Sequence, residues 1–563
     1  MNIITDNKFL GITLDAELIP LKDQFYIFQS EKFINMAKNL GPSYLRMGGT
    51  AADMIEFILD KFNNTFDQKS LDYEKQIQIE YIKNNDITCN SINFDECNDK
   101  QTTNFNNLST SIPLHQKLWD MINNFIIALG PQWEFIFGLN AMIRKENGKL
   151  WDPTNALKLL KYSQSQNYHF HLELGNEPGE YPNVFKTWIT PEDLANDFKT
   201  LRTLIMQNDN LTNSSSNSNN QTYKPVMIIG PDLDRINNTR DSQSYLIRFL
   251  DRLAQIEPIK NKSSILDRVS WHHYYISGPK AKAEQFIDPD ILDTLKPKIV
   301  SVNQVVKDGP LPDLQVWLGE GSSAWSSGAP NITDRYIAGF MFLDKIGLCA
   351  LNNVKVFIRQ DLYYGHYSLI GLDLKPNPDY WIAVLFNQLV GAKVIPLQFL
   401  DIYRHNFESG GFDAYNQDAP KSNAVRIYAH CSKQDPGGIV FYAMNLNDRE
   451  ITISFNRQMI FENYGQLNKT DRLSTAIYLG SELHQYLLTP GLTSSTSDVK
   501  DLLSRVSSLN GKTLRISRKG FLPTLKPKII KNDVKTRVNL DIILSAYSYG
   551  FFVYPLANIE YCL

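Results

Sequence analysis

No run of about 18 apolar residues occurs in this 563-residue chain, which leaves no candidate for a membrane-spanning helix. The opening stretch, MNIITDNKFLGITLD, lacks the basic start and apolar core of a signal peptide, so either the protein is cytosolic or the sequence begins near a mature end. No P-loop, dinucleotide fingerprint or zinc-type Cys/His spacing appears, and a hydrolase without cofactor or metal is the economical expectation. The net charge of -3 gives no global reason to expect a nucleic acid partner; any polyanion site has to be local. Cysteine is scarce. Of the five, Cys89 and Cys97 are close enough to close a small loop, Cys349 lies in an apolar helix-like stretch, and Cys431 and Cys562 stand far apart.

What is present is core material: 43% hydrophobic and 21% charged residues mark a globular chain. Its length exceeds what one core usually serves, so one large and one smaller domain are expected. Nine N-x-S/T sequons, at Asn63, Asn107, Asn210, Asn213, Asn220, Asn237, Asn261, Asn331 and Asn468, carry little weight in a sequence this rich in Asn.

Strand-like runs alternate with helical stretches over residues 1–385. The runs are Phe9 to Ala16, Tyr44 to Gly49, Glu134 to Ala141, His169 to Glu177, Pro225 to Asp232, Arg268 to Tyr275, Gln315 to Gly321 and Val354 to Leu362. Eight such runs predict an α/β fold of the (β/α)8 barrel type, with an open doubly wound sheet as runner-up. Polar residues stand at the exits, namely Asp15, Thr50, Asn140, Glu177, Asp232, Tyr274, Glu320 and Gln360, and a barrel gathers them round one mouth. The polar, Asn-rich stretch at about 63–113 reads as an insertion, and residues 207–222 as a solvated loop. Residues 386–563 change to short β-like runs (Ala424 to Cys431, Ile439 to Asn445, Ile451 to Phe455, Thr513 to Ser517, Tyr547 to Tyr554) and predict a C-terminal β-sandwich. Cys431 and Cys562, near its two ends, could close it with a disulfide, which implies an oxidising compartment.

Two stretches, YHFHLELGNEP ending at Pro178 and QVWLGEG ending at Gly321, share one pattern: an apolar run, a glycine and a strand-terminal glutamate. Glycosidic cleavage needs a carboxylic acid to protonate the leaving oxygen and a carboxylate to attack or stabilise the sugar carbon, and Glu177 and Glu320 suit the pair. Taken singly, either glutamate has a plainer reading as a salt bridge or cap. Glu173 is a rival acid, but inside its strand it reads as a barrel-interior contact. Asn176 is placed to donate to a sugar hydroxyl, or is a turn residue. Arg46 either keeps the nucleophile ionised or forms a buried pair with Asp15. His272 and His273 point to opposite faces and cannot easily share a metal; one belongs to the core and the other, with Tyr274, to the mouth. Lys512 to Arg537 holds nine basic residues against one acid, Asp533; this is a solvated face or an anchor for an acidic polysaccharide.

In order along the chain, YLRMGGT, LELGNEP, WHHYY, VWLGEGSSAW, GFMFLDKIGL, and IRQ followed by PNPDYW resemble the heparanase group of glycoside hydrolase family 79. The resemblance implies a retaining endo-β-glucuronidase, secreted or lysosomal, with Glu177 as acid/base and Glu320 as nucleophile. It implies sugar contacts from Asp15, Thr50, Asn176, His272, Tyr274, Gly365 and Tyr367, a Cys431–Cys562 disulfide, and a glycosaminoglycan as partner. There are departures. The stretches matching the family's basic clusters, Asn104 to Lys117 and Asp234 to Ser242, carry almost no net positive charge, and a glycine pair after the nucleophile loop is Ser326 and Ser327 here. IRQDLYYGHYSL and PNPDYW are at least as similar to a leech-type hyaluronidase of the same family. Heparan sulfate is therefore the first expected substrate, hyaluronan the second, and a non-catalytic glycosaminoglycan-binding protein the alternative of another class.

Overall fold

The computed structural model describes residues 3–59, 111–146, 148–207, 226–234, 236, 240–257, 264–397, 424–453, 479–491, 499–532 and 540–563. Most of the expected insertion at 63–113, the 207–222 tract, Cys89, Cys97 and all sequons but Asn331 lie outside them.

Eight parallel strands close into a barrel: β1 Leu10–Thr13, β2 Ser43–Met47, β3 Trp133–Leu139, β4 His171–Leu174, β5 Ile228–Leu233, β6 Arg268–His273, β7 Gln315–Gly321 and β8 Phe357–Arg359, with β8 pairing back to β1. Helices α1 Glu31–Lys38, α2 Gln116–Leu129, α3 Thr154–Ser165, α4 Pro191–Gln207, α5 Arg240–Ile256, α6 Leu295–Asp308, α7 Ala338–Leu351 and α8 Pro378–Leu389 follow the strands in turn. The barrel expectation holds over the open sheet because strand order returns on itself. Strand β7 matches its run, Gln315–Gly321, and the other seven are shorter than theirs.

Alternation along the strands sorts side chains between interior and helix layer. Tyr44, Ile136, Ile229, Trp317 and Ile358 pack together as one interior layer. Two residues further along β2, Arg46 begins a charged layer with Glu173, Asp232 and His272, all fully buried. Gly319 makes room for it, since a Cβ there would lie 3.0 Å from both Asp232 Oδ1 and Ser270 Cβ.

Helices α7 and α8 are buried on nearly every face, as expected of helices caught between two layers. The second layer is an antiparallel sheet in the order β9 Val390–Ile395, β10 Val425–Ser432, β11 Ile439–Asn445, β18 Ser548–Tyr554, β13 Glu482–Pro490, β14 Ser507–Leu509 and β15 Lys512–Thr513, with β16 Lys528–Lys531 also on β13. A two-stranded sheet, β12 Ile451–Ile453 with β17 Ile542–Leu544, covers its far face. Phe441, Phe552, Leu483, Ile453 and Ile542 fill the space between them. Tyr336 and Tyr549 stack at 4.5 Å where barrel meets sheet, and the Tyr336 hydroxyl donates to Leu488 O at 2.8 Å.

Two expectations for the sheet change. The Thr513 to Ser517 run leaves the sheet after Thr513, and β13, absent from the predicted runs, lies inside it. Cys431 and Cys562 are disulfide-bonded with Cα atoms 5.2 Å apart, and Cys349 is buried and free.

Candidate active site

Both glutamates lie at the C-terminal ends of their strands. β4 ends at Leu174, and Glu177 sits three residues on in a left-handed conformation, φ 53°. Its amide donates to Asp232 O at 2.9 Å, and Asp232 is itself left-handed at φ 52°. Two non-glycine residues in that region mark backbone strain at the mouth. Glu320 lies within β7, where the register with β6 shifts between Leu318 and Glu320, and this irregularity turns its side chain inward.

One oxygen of Glu177, one of Glu320 and a ring nitrogen of His272 lie within 4.8 Å of one another. The two carboxylates differ in what holds them. Glu320 accepts from Arg46 Nη1 at 2.7 Å and from the Tyr274 hydroxyl at 2.6 Å, one bond to each oxygen. Burial favours its neutral form, but the charges of His272 and Arg46 and these two bonds outweigh that and hold its pKa below the usual value. Glu177 faces His272 Nδ1 at 2.9 Å, and its side chain is 21% exposed.

His272 Nε2 faces Asp232 Oδ1 at 3.6 Å, an ion pair beyond hydrogen-bond distance. Burial opposes an imidazolium, yet Glu320, Asp232 and Glu177 together push its pKa up to about 10. With one ring nitrogen facing Glu177 and the other Asp232, His272 links the carboxylates of the mouth into one charge network. His273 points the other way, into the helix layer, where burial and Lys345 depress its pKa.

Arg46 is the hub. It donates through Nε to Glu173 at 2.8 Å, through Nη1 to Glu320, and through Nη2 to Asn176 Oδ1 at 3.0 Å. Of its two expected roles, the pairing is with Glu320 and Glu173, and no Arg46–Asp15 ion pair forms among the described residues. Burial, then Asp232, raises Glu173 to about 8 despite Arg46, which fits its expected interior place.

Asp15 instead accepts from Glu17 N at 2.8 Å and Gln360 Nε2 at 2.6 Å. A Cβ at Gly49 would come within 3.0 Å of both Asp15 carboxylate oxygens, so the glycine before Thr50 lets β2's loop close over Asp15. Thr50 opens the 3-10 turn that follows. Tyr367 stacks against Tyr274 with centroids 6.4 Å apart. A Cβ at Gly365 would strike the Tyr367 ring at 2.6 Å. Ser326 and Ser327 take φ of 59° and 56°, a region glycine enters freely, and the Ser327 carbonyl accepts from His366 N at 2.8 Å. Asn140 is turned away, bonded to Ile55 O and Met142 N.

Sequence reasoning missed several supports. Asp53 accepts from Ala141 N, Asn176 N and the Tyr181 hydroxyl, and burial pushes its pKa up to about 7. Lys345, buried in α7, donates to His273 O at 2.8 Å and Ser322 O at 2.6 Å, tying together the ends of β6 and β7. Arg505, from the second sheet's side, bonds Asn377 and Asp373 beyond β8.

An eight-stranded barrel with two close carboxylates at its mouth, backed by an antiparallel sheet, defines a glycoside hydrolase. Over residues 76–347 the chain matches the family model "Glycosyl hydrolase family 79, N-terminal domain". It is 29% identical to heparanase of Bos taurus over 99% of this chain and 90% of the relative. It is 27% identical to hyaluronoglucuronidase of Hirudo nipponia over 99% and 96%. A solved 4-O-α-L-rhamnosyl-β-D-glucuronidase of Fusarium oxysporum shares the fold, with TM-score 0.57 and 13% identity over 98% of this chain and 97% of that one.

Proposed function

We propose that the protein is a retaining endo-β-glucuronidase that hydrolyses internal glucuronide bonds of a glycosaminoglycan, with Glu320 as nucleophile and Glu177 as acid/base. The observation that carries this is the approach of the two carboxylates to within 4.8 Å. Retaining glycosidases keep the pair at about 5–5.5 Å, whereas inverting ones hold them at about 6.5–9.5 Å to admit a water. The roles follow from the environments. The nucleophile has to be ionised and aimed, as Glu320 is by Arg46 and Tyr274. The acid has to exchange its proton with water, and Glu177 is the more exposed of the two.

In the first step a Glu320 oxygen bonds to the anomeric carbon while the glycosidic bond breaks, and Glu177 gives its proton to the departing oxygen. In the second, Glu177 takes a proton from water, whose oxygen bonds to the same carbon as Glu320 leaves. Asp15, Thr50, Asn176, His272, Tyr274, Gly365 and Tyr367 surround the sugar in this reading. Heparan sulfate is the first substrate. Hyaluronan is the second, favoured by the pairing of mouth-side cations: Arg335 with Asp334, and Arg505 and Lys375 with Asp373. The disulfide supports a secreted or lysosomal setting.

Product analysis after separate incubation with heparan sulfate and hyaluronan at mildly acidic pH, with Glu320→Gln as control, tests the reading. Shortened chains with glucuronic acid at the new reducing end, absent with the variant, are expected. Cleavage of hyaluronan alone selects the second substrate, and cleavage of neither favours a binding protein.

A further inference from the structure

Between β15 and β16 the chain leaves the second sheet as a strap, turns at residues 517–520, and returns. Its described part, residues 512–532, contains Lys512, Arg515, Arg518, Lys519, Lys526, Lys528 and Lys531 and no acidic residue, and all seven cations are exposed. The turn is pinned to the barrel. Asn35 and Asn39 of the α1 region donate to the carbonyls of Lys519 and Gly520 at 2.9 and 3.0 Å. Gly520 has φ +83°, and a Cβ there would lie 2.3 Å from Lys32 O. Leu514 is buried, and Ile516, Leu522 and Leu525 pack against the main core. Apolar anchoring inward leaves the cations outward.

We propose that this strap is a second, non-catalytic binding surface that takes a sulfated glycosaminoglycan chain. Two of its cations are neutralised, Lys519 by Glu31 at 3.3 Å and Lys531 by Glu482 at 2.9 Å. The other five form no ion pair among the described residues. With the whole chain at -3, a local run of cations this uniform creates a field that attracts a repeating anion. Lys32, beside the strap's turn, feels Asp373 and Lys375, which belong to the loop carrying Gly365 and Tyr367. Phe521, 53% exposed, is the strap's one aromatic ring, which gives no ladder for stacking nucleic acid bases.

Catalysis is not required for this binding; the assignment of a glycosaminoglycan rests on the proposed function. The test therefore uses the Glu320→Gln protein, which cannot turn over, titrated with a heparin oligosaccharide, a hyaluronan oligosaccharide of equal length and a single-stranded DNA of equal charge. Arg515, Arg518, Lys526 and Lys528 are then changed together to Gln, with the unfolding temperature as folding control. Expected are a loss of heparin affinity of about tenfold or more, a salt dependence shallower by about three counterions, and no change for hyaluronan. A charge-keeping variant, Arg515→Lys with Arg518→Lys, retains heparin binding. Unchanged heparin affinity and slope overturn the strap even if the enzyme cleaves heparan sulfate. DNA bound as tightly, with the same strap dependence, overturns the sulfated-chain assignment. Strap-dependent heparin binding by a protein that cleaves neither polymer leaves the strap standing and removes the catalytic reading instead.

Discussion

Replacing Tyr274 by Phe removes one atom from the site and tests how Glu320 is kept ionised. The hydroxyl donates to Glu320 Oε1 at 2.6 Å, and the ring stacks on Tyr367 independently of it. A hydrogen bond to a charged group contributes about 1.5–3 kcal/mol, and this one favours the carboxylate over the acid. Its loss therefore raises the Glu320 pKa, by about one to two units at 1.36 kcal/mol per unit. The acidic limb of kcat/KM against pH reports the free enzyme's essential base, so the limb moves to higher pH by the same amount. At a fixed pH below the wild-type limb, activity falls by about ten- to hundredfold and recovers as pH rises past the new limb. The assay is kcat/KM on a defined glucuronide oligosaccharide across the pH range. An unmoved limb, or a loss that persists equally at every pH, would refute the electrostatic role and leave Tyr274 only an orienting one.

Arg505→Ala removes the brace from the loop carrying Gly365 and Tyr367. Arg505 bonds Asn377 Oδ1 at 2.8 Å, and Asn377 in turn bonds Ser368 O at 2.8 Å. We expect KM to rise about tenfold with the acidic limb unmoved and amide exchange faster over residues 365–377, as for the loss of a partly buried charged bond; unchanged KM and exchange would count against it. The Cys431–Cys562 bond closes a sequence separation of 131 residues, and Cys431→Ala with Cys562→Ala should cost about 2–5 kcal/mol of stability, read from chemical denaturation. Wild-type stability in the double variant would mean that packing alone holds the chain's end to β10.

How much of this was legible in the sequence depends on how local each signal is. The strand-terminal glutamates were legible because glycine, glutamate and an apolar run are neighbours in the chain, and strand alternation separated His272 from His273. The barrel followed from repetition. What was hidden depends on distant segments. Asp53 serves Asn176 across 123 residues, and Arg505 reaches Asn377 across 128. β13 shows no clean apolar alternation because Gln485 is buried beside Tyr486; Glu482 and His484, on its half-buried face, pair with each other at 2.6 Å. For Arg46 the sequence left two partners open, and only closure of the barrel decides between them.

That closure also sets the protonation of the site as a whole. Arg46 and His272 bring two positive charges into one buried layer, and Asp232 and Glu320, both held below the usual carboxylate range by those cations against the pull of burial, balance them. Glu173, raised by burial and by Asp232 against the pull of Arg46, accepts the Arg46 Nε bond at 2.8 Å within the same layer. Glu177, the more exposed carboxylate, meets this layer at its rim, through His272 Nδ1 at 2.9 Å. The roles proposed for the two glutamates follow these surroundings: the proposed nucleophile, Glu320, is the carboxylate that His272 and Arg46 hold below its usual pKa, and the proposed acid/base, Glu177, is the more exposed one.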